Sequence, residues 1–480
     1  MTAALALCLA PASLFAQTPS ISLTKMSADP YTVPPGQHAT EVEPHMLANG
    51  DTIVAAFQTG RISPGGATDI GWATSTDGGT SWSHGFLPGL TTGGGGGVYT
   101  AASDPAVAYD AKHTTWMIAT LPIASKQTPA VTVSTSTDGG FTWNDPVSVD
   151  PTSSSSDKNW IVCDSSSTSL YYGNCYVEWD DPNSGEIYMS VSSDGGLTWG
   201  AAVGTKGNGL GGQPLVQSNG TVIVPYEGNS MSAFTSTNGG ASWTSSVTIA
   251  NIQSHTDAGG IRSSPLPSAA IDGAGTVWVV WQDCRFRTKC AANDLVYSTS
   301  SNGTTWGAVT RVPIDPVTST KDHFIPGIGI DPTTSGTGAH VAITYYYYSN
   351  TSCTKSTCQL FVGYISSPNG GSTWNAAITL TKGAMQLAWL PNSQNGLMVG
   401  DYIATVFNSG VPHGVFEIAT AKSGSTFNEA TYTAQGLAVP TEGAVLSSAG
   451  DKPLHNISDK IEKDHPEKGY YPPSKRAAKK

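Results

Sequence analysis

Charge is scarce in this chain of 480 residues: Asp, Glu, Lys and Arg make up 12% of it, and 23 basic residues face 35 acidic ones. A nucleic-acid partner needs a basic stripe against its phosphates, and a formal net charge of −12 argues against one. Apart from the start, no apolar run reaches the roughly eighteen residues of a helical membrane span, so none is expected. Cysteine is sparse and never in CxxC spacing, which weakens a zinc reading. No arginine occurs between Arg311 and Arg476.

What is present is glycine, 54 residues, with 30 prolines and abundant Ser, Thr, Val, Trp and Tyr, the profile of an all-β protein rich in turns. One short stretch returns along the chain. STDGGTSW ends at Trp82, STDGGFTW at Trp143, SSDGGLTW at Trp199, STNGGASW at Trp243, the shorter SSNGTTW at Trp306 and SPNGGSTW at Trp374. Asp-Gly or Asn-Gly supplies the positive φ of a tight turn, the Asp or Asn side chain accepts bonds from that turn's N–H groups, and the Trp packs back on the sheet. Six copies in fixed register point to a repeat architecture.

Between the turns lies a second repeated element, an apolar strand that opens on an acidic or polar residue and often Pro: Glu43-Pro44, Asp104-Pro105, Asp157, Gln213-Pro214, Pro265, His323 and Gly400-Asp401. A second strand follows each opening, a third leads into the turn and a fourth leaves it. Four antiparallel strands repeated around an axis make a β-propeller. Seven openings favour seven blades, the last with a degenerate turn at Ser423 to Phe427, and six is the alternative. The loops after strand two and before strand one then share one face, with the repeated turn at the opposite rim.

The layout expected is a signal peptide over 1–16, an N-terminal extension over 17–42, a propeller over 43–450 and a charged, disordered tail over 451–480. The six cysteines past the leader fall into local pairs, Cys163 with Cys175, Cys284 with Cys290 and Cys353 with Cys358, which an oxidising compartment would make disulfides. A secreted or periplasmic monomer is the expectation.

The repeated turn resembles the Asp-box, or BNR repeat, and the chain resembles the sialidase superfamily from Glu43 to about Phe427. Sialidases hold a substrate carboxylate with three arginines, attack with a Tyr polarised by a Glu, and protonate the leaving group with an Asp. The resemblance implies that Arg285, after VWVVWQDC, takes the second arginine's place and that Tyr402, in Gly400-Asp401-Tyr402, takes the nucleophile's. The first arginine's place reads Glu41-Val42-Glu43-Pro44, with Arg61 a strand later, and the third has no counterpart. No Glu stands near Ser264, and Asp69 is displaced from the acid's place.

The loops assigned to the shared face carry Glu43, Arg61, Asp69, Asp104, Asp157, Lys158, Asp180, Asp181, Glu227, Arg262, Asp283, Arg285, Arg287, Asp322, His323 and Asp401, with Trp160, Trp179, Trp281 and the Tyr345 to Tyr348 run among them. Acids that bond hydroxyls and aromatic faces that stack on rings suit an extracellular glycan or glycoconjugate. Two readings stand. In one, a glycoside hydrolase works through Tyr402, Arg285, Asp283 and Glu227, with Arg61, Arg262, Trp281, Trp179 and Asp181 binding substrate. In the other, a non-catalytic propeller binds glycan or protein on that face. No cofactor is expected; such acids could also hold structural calcium, although no EF-hand-like spacing appears.

Overall fold

The alternation of β-branched and aromatic residues with Gly-rich turns yields a chain built almost wholly of short antiparallel strands. The computed structural model describes residues 21–94, 96–124, 129–151 and 156–454, so the expected signal peptide and most of the expected tail lie outside the described residues. Within them the strands form four separate four-stranded sheets, one eight-stranded sheet whose two runs of four are joined by the single pair Ala67 with Ala102, one five-stranded sheet and a two-stranded hairpin; the runs of four are numbered as sets 1 to 7 in chain order. Set 1 runs through Gln37–Asn49, Thr52–Arg61, Ala67–Ser75 and Ser83–Phe86, and set 2 through Ala101–Asp110, Thr115–Ile123, Thr132–Ser136 and Val147–Ser148. Set 3 opens at Asp157–Cys163, set 4 at Leu215–Val216, set 5 at Ser268–Ile271 and set 6 at Asp322–Ile330. Set 7 is assembled from both ends of the described chain: Ala404–Asn408, Val411–Ala419 and Glu429–Gln435 take Ser22–Lys25 as their fourth, outer strand.

The opening strand of each set lies against the opening strand of the next, and that of set 7 lies against that of set 1. Apolar side chains fill the space between neighbouring sets, as where Met117 and Val133 of set 2 cluster with Val177 and Trp179 of set 3, or Ile223, Met231 and Ala233 of set 4 with Val279 and Trp281 of set 5. The disulfides join Cys163 to Cys175, Cys284 to Cys290 and Cys353 to Cys358, the three pairs expected. The first ties two paired strands at opposed positions.

The repeated turn is capped by its Asp or Asn in all six copies, and its Trp Nε1 bonds the turn carbonyl in four; Trp199 and Trp243 make no such bond among the described residues. In the second copy Asp138 Oδ1 accepts the N–H groups of Phe141 (3.1 Å) and Thr142 (3.0 Å), Oδ2 accepts the Thr142 hydroxyl (2.6 Å), and Trp143 Nε1 donates to the Gly140 carbonyl (3.0 Å). Gly139 and Gly140 sit at φ of 81° and 85°, where a side chain would be strained. The copies at Asp77, Asn302 and Asn369 repeat the Asp or Asn and Trp contacts. Each motif spends its polar groups on its own backbone, which makes it scaffold.

Candidate functional site

The opening strands share a defect that brings their side chains together. Sets 1, 2, 3 and 6 each break register at a bulge, between Val42 and His45, Ser103 and Ala106, Asp157 and Trp160, and Phe324 and Gly327. At each bulge one non-glycine residue is left-handed: Glu43 (φ 56°), Asp104 (48°), Lys158 (49°) and Ile325 (48°). Such a conformation costs of order 1–3 kcal/mol, and a bulge re-aims the side chain it carries. Three of the four re-aimed residues are charged, and they meet Asp401, which precedes the opening strand of set 7.

The charges are matched closely. Arg262 donates from Nε to Asp401 Oδ1 at 2.6 Å and from Nη2 to Oδ2, and the Lys158 ammonium donates to that same Oδ2. Lys158 Nζ lies 3.6 Å from Glu43 Oε1. Gln58 donates to Glu43 Oε2 and, at 3.1 Å, to Ser103 Oγ, and accepts from Arg61 Nη1 at 3.0 Å. Ser103 Oγ donates a hydrogen bond to Asp104 Oδ1 at 3.1 Å, and the Lys158 backbone N–H reaches Asp104 Oδ2 at 3.2 Å. Glu43, Asp104, Lys158, Asp401 and Arg61 are each at most 4% exposed, and Arg262 is 8% exposed.

Burial sorts these acids. It raises Glu43 well above the usual carboxylate range, helped by the neighbouring Asp104 and against the pull of Lys158. Burial also opposes ionisation of Asp401, yet the Arg262 and Lys158 charges outweigh it and hold this carboxyl well below the usual range. Asp104 is lowered too: Lys158 and a bond from Glu43 overcome its burial. Within the group proton loss is therefore opposed at Glu43 and favoured at Asp104 and Asp401, among the three basic side chains Arg61, Lys158 and Arg262. On its far side Glu178 and Asp180 are raised, chiefly by burial and then by the charges of Asp180 and Asp157 respectively.

Of the residues singled out from sequence, Arg61, Arg262 and Tyr402 join this group. The Tyr402 hydroxyl donates to the Pro105 carbonyl at 3.0 Å, and its ring meets Trp160 edge-on at 5.1 Å. Burial, then the charges of Glu43 and Asp104, push its ionisation up, opposite to what an attacking phenolate needs. The described bonds of Arg285 and Asp283 stay apart from the axial group: Arg285 donates to both Asp283 oxygens, at 2.8 and 2.7 Å, and to the Asn251 carbonyl at 2.5 Å. Trp281 donates to Asp283 at 3.2 Å and is fully buried, and Trp179 is 1% exposed in a core, so neither presents a face to a ligand. Glu227 is buried at a strand end, its backbone paired with Leu210. Asp181 caps its own turn through Asn183 and Ser184.

Glu43, Asp104, Lys158 and Asp401 were legible on the shared face but not singled out from it. The signal available was the acid-Pro opening itself, Glu43-Pro44 and Asp104-Pro105, since a left-handed residue before proline marks the bulge.

Beside the group a cavity of about 10 Å³ is lined by Lys158, Trp160, Gly211, Gln213, Leu266, Pro267 and Tyr402, room for about one water. A roomier groove of about 520 Å³ lies between Arg285, Phe286, Thr310, Arg311, Ser372 and Asp451. One further set has metal-ligand spacing: Asp294, Asp315 and His323 offer donor atoms within 4.8 Å of one another. Two guanidiniums already serve its carboxylates, Arg287 on both Asp294 oxygens and on Asp315 at 2.8 Å, Arg311 on Asp315 at 3.1 Å. The acids are neutralised from within the chain.

No family model matches the chain, and no curated protein matches it. Among solved structures, it is similar to the Hadza microbial sialidase Hz136 at 15% identity and a TM-score of 0.43, over 85% of this chain and 66% of that one. It is similar to Trypanosoma rangeli sialidase in complex with sialic acid at 14% identity and 0.44, over 72% and 59%. It is also similar to Penicillium chrysogenum α-L-arabinanase complexed with arabinobiose at 13% identity and 0.41, over 86% and 98%. The chain thus spans just under two thirds of the length of the first sialidase and less of the second.

Proposed function

We propose that this protein is an exported, monomeric seven-bladed β-propeller that binds neutral extracellular glycans across the mouth of its axis. The seven strand sets, with opening strands that neighbour one another from set 1 round to set 7, support the propeller. Three disulfides support passage through an oxidising compartment.

The observation that carries the ligand class is the engagement of Asp401 by both Arg262 and Lys158. Those cations would otherwise bind an acidic sugar; here they serve a carboxylate of the chain itself, so the ligand left to the mouth is uncharged. Half-buried Trp160, backed by buried Leu266 and Pro267, offers ring surface to a sugar, and Gln213, whose Oε1 accepts the Ala269 N–H, lines the cavity beside it.

Hydrolysis is the second reading, and one observation favours it: Glu43 and Asp104, adjacent carboxyls, are driven in opposite directions, as an acid and its partner base are. The sealed cluster weighs against it, because a substrate must reach both groups. Incubation with fluorogenic glycosides, sialosides and arabinosides included, separates the readings. Binding without product supports the first; product formation that Glu43→Gln abolishes supports the second.

A further inference from the structure

The seam where set 7 meets set 1 buries three glutamates with hardly a partner. Glu41 comes from the opening strand of set 1, Glu417 from Val411–Ala419 and Glu429 from Glu429–Gln435, and all three are at most 2% exposed. Glu41 Oε2 accepts the Thr431 N–H at 2.8 Å, and Glu417 Oε1 accepts the Thr431 hydroxyl at 2.9 Å. Glu41 Oε1, Glu417 Oε2 and both Glu429 oxygens accept no hydrogen bond among the described residues. Thr431 sits where the Ser22–Lys25 strand leaves its partner, since its carbonyl takes the Met26 N–H at 2.9 Å. The three carboxyls thus surround the point at which the N-terminal strand is fastened.

We propose that this seam is a pH-sensitive latch: protons on Glu41, Glu417 and Glu429 hold the N-terminal strand in set 7, and their loss on the alkaline side loosens it. The charged and titratable groups facing the three are few. Lys25 of the N-terminal strand and Asp29 just past it act on Glu41; Lys422, on the loop between the last two strands of set 7, acts on Glu429. Tyr346, from set 6, donates to the Glu417 carbonyl at 2.9 Å, and Tyr432 lies within the field of Glu41 and Glu417. Neither lysine makes a described ion pair with the glutamates, so ionisation there leaves like charges in an apolar seam.

The sign follows from the direction of the shifts. Burial first, and then mutual repulsion, raises Glu417 and Glu429 well above the usual range, and burial raises Glu41 to about 7. A group raised in the folded state contributes stability that is fully present below its unfolded value, 4.5, and is lost as pH rises through the folded one.

The test is hydrogen exchange of the Leu23 to Met26 amides, corrected for intrinsic rate, on the full chain between pH 5.5 and 8. The wild type is expected to lose protection there by about tenfold or more, and the triple Glu41→Gln, Glu417→Gln, Glu429→Gln variant to lose none. Tm should fall over the same range, with Glu41→Gln alone removing about 3 °C of the fall. If the triple variant does not fold, Glu429→Gln alone should flatten part of the loss. Protection that stays level in the wild type overturns the latch. So does a loss that the glutamine variants share, or one that millimolar calcium cancels in the wild type, which would make the carboxylates a cation site.

Discussion

Arg262 grips Asp401 with two parallel hydrogen bonds across 139 residues of sequence, and both side chains are nearly buried. Breaking one partner of such a pair strands a charge in low dielectric. Arg262→Ala should lower stability by about 3–5 kcal/mol, whereas Arg262→Ala with Asp401→Ala should recover part of that loss. Urea denaturation of the three proteins gives the answer; equal midpoints for wild type and single variant would refute the pairing.

Asp138 fastens its turn with bonds from two backbone N–H groups and the hydroxyls of Ser136 and Thr142. Asp138→Ala should cost about 1–2 kcal/mol and leave glycan affinity unchanged. Thermal unfolding alongside a binding titration checks both halves of that expectation.

His45 contributes to the acid side of the stability profile, as do the lowered His323 and His413 and the lowered Asp104 and Asp401. His45 Nδ1 accepts the Val107 N–H at 2.8 Å, which requires the neutral ring, and burial pushes it down to about 3 from 6.5. The unfolded chain therefore takes up this proton first. Stability is present above 6.5 and is lost as pH falls from there towards 3. His45→Gln should make that limb of a Tm profile shallower by the share of this one proton, while the alkaline limb from the three seam glutamates stays.

The Cys163–Cys175 bond joins opposed strand positions across a sequence separation of 12. Replacing both cysteines by serine should cost about 2–4 kcal/mol, and the loss should match that of reduced wild type if the other two disulfides are kept by selective chemistry. Reduction with no effect on the midpoint would contradict it.

Much of this was legible in the residues. The turn copies from STDGGTSW to SPNGGSTW gave their own geometry, because an Asp or Asn at fixed spacing caps the N–H groups just after it and glycine takes the positive φ the turn needs. The cysteine pairs were legible because each closes a short loop. The axial group was harder. Its members come from three strand sets and two loops, and pairs such as Lys158 with Asp401, 243 residues apart, leave no mark in local spacing. Set 3 shows the limit: its strand opens at Asp157 as read, yet the left-handed residue that reaches Asp401 is the next one, Lys158. Arg285 showed the opposite hazard. An arginine after an inner strand resembles a ligand clamp, yet Asp283, two residues before it, takes its guanidinium. Trp179 and Trp281 read as ring platforms from composition, but a tryptophan on a strand buried on both faces is packing.

The central claim is that a neutral glycan binds over Trp160 at the mouth of the axis. The most direct measurement is titration of a panel of neutral and acidic oligosaccharides into wild type, Trp160→Ala and Gln213→Ala, with the products examined for cleavage. The account predicts a neutral ligand bound intact, with affinity about tenfold to a hundredfold weaker in Trp160→Ala at little change in Tm. Undiminished binding by Trp160→Ala, preference for an acidic sugar, or release of a cleaved product would contradict it.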